Sequence, residues 1–308
     1  MTATLTVDGL TVRIPVRDGT VHAATDVGLT LETGRVHALV GESGCGKSIV
    51  ASAISGLLPS NARVSGSIRL TAAGDEVEII GSPERVLRTV RGRRIALVPQ
   101  SAATYLTPVR TVGTQLVETL RHLESRYSAA ELLDRVGLAP ECRDLYPHEL
   151  SGGMAQRAAI AFALAGDPEV IVADEPTSSL DPDLTERILT LLDGCTGAGA
   201  AVLLITHDIT ATRRHADTVS VMCAGRILES GPAADVLDDP WHDYTKDLMA
   251  ALPRNGLRPM PGTPPELTDL PDDCVYHLRR PDTPFSGGPT HLVRTGARVV
   301  RARVGGGA

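Results

Sequence analysis

The sequence predicts a protein of the α/β class, with a mostly parallel sheet, an antiparallel β subdomain and an inserted helical subdomain. Three observations support this prediction. Short apolar segments typical of buried strands alternate with segments of helical spacing between residues 36 and 206. Apolar and polar residues alternate on both sides of a turn at residues 17–20. Residues 111–140 show helical periodicity, which indicates an insertion between parts of the α/β core.

Local patterns predict the individual elements in chain order. The alternation within residues 5–14 and 27–31 predicts two strands. The helix that begins after residue 47 should end near Leu57-Leu58-Pro59, because proline stops a helix. Further strands are expected as a pair within residues 63–80 and singly at 95–98, 170–173 and 200–205, and further helices at 158–165 and 184–192. Nine of the 21 prolines occur from residue 253 onward, so an irregular C-terminal extension is expected, with one strand at Ala297–Val304.

Composition narrows the class of protein. The 308 residues are 42% hydrophobic with a net charge of −7, which is typical of a globular domain and gives no support to a nucleic-acid-binding surface. The five cysteines include no C-x-x-C pair, which argues against a disulfide framework or a zinc site and suits a reducing cytosol. No segment reaches the ~18 apolar residues of a membrane-spanning helix, and the N-terminus lacks the features of a signal peptide. Any contact with a membrane would therefore go through a partner.

Residues 41–48 read Gly-Glu-Ser-Gly-Cys-Gly-Lys-Ser and match the phosphate-binding loop G-x-x-x-x-G-K-[ST]. An apolar strand precedes the motif and a helix follows it, as the motif requires, whereas a glycine-rich turn that matches by chance needs neither. Backbone N–H groups of such a loop surround phosphate oxygens, Lys47 supplies a charge for the β- and γ-phosphates, and the Ser48 hydroxyl is suited to bind Mg²⁺. Cys45 lies inside the loop, either as a small filler or as a thiol made reactive by the helix N-terminus.

Three further motifs carry polar groups. Ser151-Gly152-Gly153 opens a helix after Tyr146-Pro147-His148-Glu149-Leu150, Asp174-Glu175 follows an apolar strand, and His207 follows another. Each has a simpler interpretation: a helix cap, a capping pair and a structural histidine. Two adjacent carboxylates directly after an apolar strand, however, leave an acid at the edge of the sheet where α/β proteins bind ligands.

Together with Gln100, these motifs occur once each and in the order seen in ATP-binding-cassette (ABC) ATPases, which the chain resembles over roughly residues 5–250. The resemblance implies a P-loop NTPase core of RecA-like fold, with ATP and Mg²⁺ as cofactors. It implies an ATPase domain at residues 1–252, with a helical subdomain at about 101–165, and a Pro/Gly-rich extension at 253–308. Leu150–Arg157 is similar to the family's signature motif, which contacts ATP held by a second subunit, and Ser179-Leu180-Asp181 is similar to its D-loop.

The resemblance assigns a role to each candidate residue. Glu175 would be the general base, His207 would contact the γ-phosphate and orient Glu175 or water, and Gln100 would sense the metal and couple to a transmembrane partner. The metal ligands would be Ser48, Gln100 and Asp174. The residues expected to bind ATP are Gly41, Ser43, Gly44, Cys45, Gly46, Lys47, Ser48, Ser151, Gly152, Gly153 and Asp181.

A narrower resemblance, to the oligopeptide/dipeptide/nickel importer subfamily, extends through Ala224–Glu229 and Pro261–Pro265. It implies a peripheral protein on the cytoplasmic face of the cell membrane, with no nucleic acid as partner. The expected partners are a second ATPase subunit of different sequence, two transmembrane permeases and an extracytoplasmic substrate-binding protein. The solute would be a peptide or a similar small solute, nickel or a metal complex included. An exporter ATPase and a soluble cytosolic ABC ATPase are the alternatives, and the signature motif argues against a kinase or GTPase.

Four departures from the family pattern qualify these expectations. The family usually stacks adenine on an aromatic residue near the position of Ile14, so adenine should lie instead on aliphatic surface or on His22. The segment after Gln100 differs from the subfamily, which bears on the identity of the permease. Ala155 replaces a long polar residue of the signature. Many relatives carry several cysteines in the extension, whereas Cys274 stands alone and Arg280 occupies the next expected position, so no iron–sulfur cluster is expected.

Overall fold

The computed structural model describes residues 3–72, 74–178, 180–272, 274–279 and 290–303. Their strands form one sheet of four strands and one of eight. The strands are β1 (Ala3–Val16), β2 (Gly19–Glu32), β3 (Val36–Val40), β4 (Arg63–Ala72), β5 (Asp75–Glu78), β6 (Ile95–Val98), β7 (Val170–Asp174), β8 (Ala201–Thr206), β9 (Thr218–Cys223), β10 (Arg226–Pro232), β11 (Thr290–Thr295) and β12 (Arg298–Arg303).

The helices lie mainly between these strands and in one continuous insertion. They are α1 (Lys47–Ile54), α2 (Glu84–Val90), α3 (Ala102–Tyr105), α4 (Val112–Leu123), α5 (Ala129–Arg135), α6 (Gly152–Leu164), α7 (Pro182–Gly197), α8 (Ile209–His215), α9 (Ala233–Asp238) and α10 (Asp243–Ala250). Short 3-10 helices cover Pro140–Asp144, Pro147–Glu149, Pro253–Asn255 and His277–Arg279. Among the described residues, no helix combines the length and apolar character that a membrane span requires.

The eight-stranded sheet has the order β11-β12-β10-β9-β3-β8-β7-β6, and the pairs β6/β7, β7/β8, β8/β3 and β3/β9 are parallel. Strands β3 and β8 are buried along their whole length, which explains why their sequences are apolar except at His37 and Thr206. The predicted α/β class with a mostly parallel sheet is therefore confirmed. The antiparallel part is the four-stranded sheet β2-β1-β4-β5.

The predicted N-terminal hairpin, β1 and β2, forms one side of the antiparallel sheet. Val16 pairs with Gly19 across the turn, and Leu5 pairs with Leu31 at the far end of the two strands. The apolar residues that alternate along β1 and β2 point into one core shared with α1. The alternation in the sequence therefore corresponds to alternation between buried and more exposed side chains. The expected strand pair within residues 63–80 is present as β4 and β5.

The insertion at residues 101–165 contains α3 to α6. Val112, Leu116 and Leu120 line one face of α4 and pack with Leu132 and Leu133 of α5 against α6. Their helical spacing is the pattern from which the sequence predicted this region. The domain boundaries themselves remain a prediction.

Two sequence expectations about element ends need correction. Helix α1 ends at Ile54 and not near Pro59, because Ser55 caps it and Gly56 turns away with a φ of +63°. The C-terminal extension is less irregular than expected. The predicted strand is present as β12, with Val304 outside the described residues, and β11 pairs with it as a hairpin that the sequence did not predict. Through β12 the hairpin extends the main sheet at β10.

A buried histidine lies in the central strand that leads to the phosphate loop. The His37 ring nitrogens lie 2.8 Å from Thr218 Oγ1 and 2.9 Å from Ser220 Oγ, so a neutral imidazole has a partner for both. Burial lowers the pKa of His37 to about 4, and it lowers the pKa of His242 in the same way to about 4.

Acid should therefore destabilise the fold between the pKa values of unfolded and folded histidine. Unfolded histidine titrates near pH 6.5, so below that pH the unfolded chain binds protons that the folded protein excludes, and the free energy of unfolding falls. The protein therefore has its full stability above pH 6.5. Protonation of His37 in the unfolded chain lowers the free energy of unfolding by roughly 3 kcal/mol in all as the pH falls to about 4. Urea unfolding of the unmodified protein and of His37→Gln at about pH 7.5 and about pH 5 checks this. The variant should lose less stability on acidification; equal losses would contradict the assignment.

Candidate functional site

The phosphate-binding loop connects β3 to α1 and presses against the backbone of β2. A Cβ atom on Gly46 would lie 2.2 Å from the carbonyl oxygen of Ala23, and the φ of Gly46 is +107°. Glycine is therefore required here both by the backbone conformation and by the close approach of a neighbouring strand. The motif residues Gly41–Ser48 form the strand–loop–helix connection that the sequence predicts.

Lys47 points back into the loop. Its Nζ donates to the carbonyl oxygens of Gly41 at 2.8 Å and Glu42 at 2.9 Å, and the residue is 5% exposed. The loop carbonyls thus compensate for the burial of a charge that would otherwise be costly. Cys45 lies beside it, and burial, the largest effect, raises the pKa of the Cys45 thiol. That direction favours the small-filler interpretation of Cys45 over the reactive one.

Ser48 and Asp174 meet between the loop and the end of β7. Burial, the largest effect, raises the pKa of the Asp174 carboxyl, while the nearby Ser48 side chain acts in the opposite direction. The Oδ1 atom of Asp174 is buried and has no hydrogen-bond partner. A hydroxyl next to an unsatisfied carboxylate oxygen is a donor set that suits Mg²⁺, which prefers oxygen ligands. The residues present therefore fit the metal that the sequence implied.

Glu175 and His207 are joined directly. The His207 Nδ1 atom lies 2.7 Å from Glu175 Oε2, and the Glu175 N–H donates to the Ile205 carbonyl at 2.9 Å. The Glu175 side chain is 13% exposed and that of His207 is 65% exposed. Glu175 has a φ of +48°, a conformation that is uncommon for a residue with a side chain. The predicted base and the predicted histidine thus form one hydrogen-bonded pair.

The signature residues form a second group. Ser151 caps α6 and accepts from Met154 N at 3.3 Å, so the simple interpretation as a helix cap describes its local geometry. A Cβ on Gly153 would lie 1.9 Å from Leu184 Cδ2, which means that glycine lets α6 and α7 meet closely. Asp181 caps α7 by accepting from Leu184 N at 2.9 Å. The start of α6 and the start of α7 are therefore packed together, and Ser179 lies outside the described residues.

Gln100 lies two residues after β6 and is exposed. Because β6 pairs in parallel with β7, Gln100 follows its strand at the same edge of the sheet as Asp174 and Glu175.

The signature residue Ala155 is buried against Ala102 and Ala159. The small side chain of Ala155, which is the departure in the signature, thus packs in a contact made of alanines.

Gln115 is a residue that the sequence analysis missed. It lies on the apolar face of α4, and its amide accepts from Thr107 N at 2.8 Å and donates to the carbonyls of Thr107 at 3.0 Å and Arg110 at 2.9 Å. A polar residue within an otherwise apolar helix face was the available signal. Gln115 fixes a loop that exposes Val109 to solvent, with 78% of its surface accessible.

The surface expected to receive adenine lies next to the loop. His22 precedes Ala23, the residue that touches Gly46, and it pairs with Arg13, while Ile14 pairs with Val21. The His22 Nδ1 atom is buried without a hydrogen-bond partner. Burial and the nearby Arg13 lower the pKa of His22, which leaves a neutral ring. The aliphatic surface near Ile14 and the His22 ring, the two surfaces expected to receive adenine, therefore both lie near the phosphate loop.

The expected absence of an iron–sulfur cluster remains a prediction. Cys274 is partly exposed, and Arg280 lies outside the described residues. In the part of the chain that the structure describes, no group of three or more His, Cys, Asp or Glu residues could hold a metal ion.

A matched pair of substitutions tests the close approach at the loop. Gly46→Ala and Gly44→Ala both place a side chain at positive φ, but a Cβ on Gly44 has no atom within 4 Å. Gly46→Ala should therefore lower the free energy of unfolding by about 1–3 kcal/mol more than Gly44→Ala does. Urea unfolding of the two variants measures the difference. Equal losses would mean that β2 moves aside without cost.

Two family models match the chain. Residues 24–178 match the model described as ABC transporter, and residues 228–284 match the model described as oligopeptide/dipeptide transporter, C-terminal region. The second match covers α9, α10 and most of the proline-rich extension, which agrees with the narrower resemblance seen in the sequence.

Curated relatives and solved structures agree with these matches. The chain is 39% identical to the probable D,D-dipeptide transport ATP-binding protein DdpD of Escherichia coli strain K12, covering 89% of this chain and 88% of that protein. It is 40% identical to the oligopeptide transport ATP-binding protein OppD of Salmonella typhimurium, over 90% and 86% of the two chains. The dimeric cassette MJ0796 bound to ADP and Pi superposes with a TM-score of 0.64 at 26% identity, over 74% of this chain and 98% of that one. The chain belongs to the ATP-binding-cassette transporter family and is an ATPase.

Proposed function

We propose that this chain is the ATP-hydrolysing subunit of an ABC importer for oligopeptides or dipeptides. The observation that carries the proposal is the Glu175–His207 pair at the sheet edge where the phosphate loop with Lys47 and Ser48 begins. A general base next to a phosphate-binding loop is the arrangement that hydrolysis needs. The match of residues 228–284 to the oligopeptide/dipeptide transporter C-terminal region supports the solute class. Nickel or a metal complex is a second candidate solute, carried by the subfamily resemblance.

Each residue has a role in this mechanism. Lys47 and the loop N–H groups would hold the phosphates, and Ser48, Asp174 and Gln100 would hold Mg²⁺, which when bound would supply charge neutralisation at the phosphate oxygens. The Glu175 carboxylate orients the attacking water and accepts its proton. His207 donates to Glu175 Oε2 through Nδ1–H, which orients the carboxylate, and its exposed ring would contact the γ-phosphate.

The second group of residues fits an interface with another cassette. Ser151 and Gly152 are exposed at the start of α6, and Asp181 lies beside them at the start of α7. An exposed helix N-terminus with free donors favours an anionic ligand. In the proposed assembly these residues contact ATP held by the loop of a second ATPase subunit, of different sequence as in the subfamily. Asp181 contributes to this proposed interface by capping the N-terminus of α7.

The permease contact is proposed at the loop that Gln115 fixes. A surface cavity of about 640 Å³ is lined by both core and insertion residues, among them Leu57, Arg91, Tyr105, Thr107 and Arg110. Tyr105, which lines the cavity, is 58% exposed, and Val109 of the same loop adds apolar surface that is 78% exposed. A segment of a transmembrane permease seated there would touch the residues that follow Gln100. The chain would then lie peripherally on the cytoplasmic face of the membrane, and an extracytoplasmic binding protein would deliver the solute.

Glu175→Gln tests the catalytic assignment. The amide keeps the size of the side chain but cannot accept the proton, so ATP should still bind while turnover falls by at least ~10²-fold. Glu186→Gln is the matched control, since Glu186 lies near the same surface but pairs with Arg214 at 3.0 Å. Its turnover should stay close to that of the unmodified protein. Unchanged turnover in Glu175→Gln would remove Glu175 from the role of base.

Capture of the Glu175→Gln protein from detergent-solubilised native membranes with Mg-ATP tests the assembly. Two permeases and a second, distinct cassette should be identified by mass spectrometry. The same capture with Arg110→Glu should lose the permeases, because the substitution reverses a charge in the proposed contact surface while leaving the ATP site intact. A homodimer without membrane partners would favour the soluble cytosolic alternative. Partners that move solute outward would favour an exporter.

A further inference from the structure

The second residue of the phosphate loop is held from the C-terminal extension. The Arg279 guanidinium forms a two-pronged ion pair with the Glu42 carboxylate: Nη1 meets Oε2 and Nη2 donates to Oε1 at 3.0 Å. Tyr244 Oη also donates to Glu42 Oε2, at 3.3 Å. Glu42 and Arg279 are separated by 237 positions in the sequence. Such bidentate pairs are both stronger and more directional than single hydrogen bonds.

Arg279 is fixed on its other side as well. Its side chain is 2% exposed, and Nε donates to the Pro261 carbonyl at 2.5 Å. The guanidinium is therefore held on two sides, by the extension and by Glu42. Burial of this kind makes an unmatched charge costly, so the pair persists only while the carboxylate keeps its position.

Glu42 passes this constraint to the ATP site. Its carbonyl oxygen accepts from Lys47 Nζ at 2.9 Å, so Glu42 contacts both the C-terminal extension and the lysine of the phosphate loop. We propose that Arg279 is a positioning residue for ATP binding, which acts through Glu42 to hold the first turn of the phosphate loop and thereby Lys47. The inference rests on the proposed role of residues 41–48 in binding the phosphates of ATP.

Other contacts argue against the alternative that Arg279 only attaches the extension to the rest of the protein. The extension is attached to the cassette independently, by His22 N to Leu267 O at 2.8 Å and Asp269 N to Thr20 O at 2.9 Å. Arg226 donates to the carbonyls of Pro271 and Asp272. The extension would therefore stay in place without the ion pair, which leaves the loop as the part that depends on it.

Titration of the full chain with Mg-ATP by calorimetry tests the proposal. Arg279→Met should weaken ATP binding about tenfold, because the loop must then be ordered at the expense of binding energy. In the assembled transporter the KM for ATP should rise by a similar factor while kcat stays the same, since Glu175 and His207 do not contact Arg279. Arg279→Lys, which restores the charge with fewer donors, should recover part of the affinity.

Arg298→Met is the matched control. Arg298 belongs to the same extension and is 8% exposed at its side chain, but it pairs with the buried Glu229 at 2.6 Å and donates to the Asp239 carbonyl instead of contacting Glu42. It should lower stability without changing ATP affinity. If Arg279→Met proves unfolded, Glu42→Gln provides the same measurement from the other partner with little change in volume.

The outcomes separate this inference from the proposed function. If Lys47→Ala binds ATP as well as the unmodified protein does, the assignment of the loop is wrong. If Lys47→Ala loses binding but folded Arg279→Met binds within about twofold of the unmodified protein, the positioning role is wrong. Equal weakening by Arg298→Met would also overturn it, because the effect would then be one of general stability.

Discussion

The parallel register between β7 and β8 is the constraint on which the candidate site depends. Asp174 lies opposite Ile205, and the Glu175 N–H continues the ladder to the Ile205 carbonyl. This pairing brings His207 within 2.7 Å of Glu175. On the other side of β8, the end of β3 pairs with Thr206, so the phosphate loop begins at the same edge. A slip of one residue would turn alternate side chains to the opposite face and separate these groups.

The motif-based part of the site could be predicted because phosphate recognition is local in sequence. Backbone N–H groups of consecutive residues, a lysine and a hydroxyl make up the loop, so eight positions suffice to identify it. Strands that are buried on both faces can be predicted equally well, since β3 and β8 are apolar except at His37 and Thr206. The resemblance then supplied the roles of Gln100, Glu175 and His207, of which the structure joins the last two directly.

Contacts between distant segments could not be predicted in this way. Gln115 resembles any polar residue on a helix until the loop at Thr107 folds over it, and Arg279 lies in a proline-rich segment with no periodic pattern. Strand β11 was missed for a related reason. Its residues are half exposed and alternate weakly, and it becomes a strand because β12 offers it an edge. Tertiary context decides these elements, and the local sequence does not contain it.

The C-terminal hairpin also has a consequence for synthesis of the protein. Strand β12 covers the edge of β10 by pairing at Glu229 and Ser230, with the buried Arg298 beneath. Residues 290–303 leave the ribosome well after residues 226–232, so during this interval β10 presents unpaired backbone groups at a sheet edge. Such edges are templates for pairing with other chains. The nascent cassette therefore keeps an unpaired edge at β10 until β12 arrives, and chaperone binding at that stage would protect this edge.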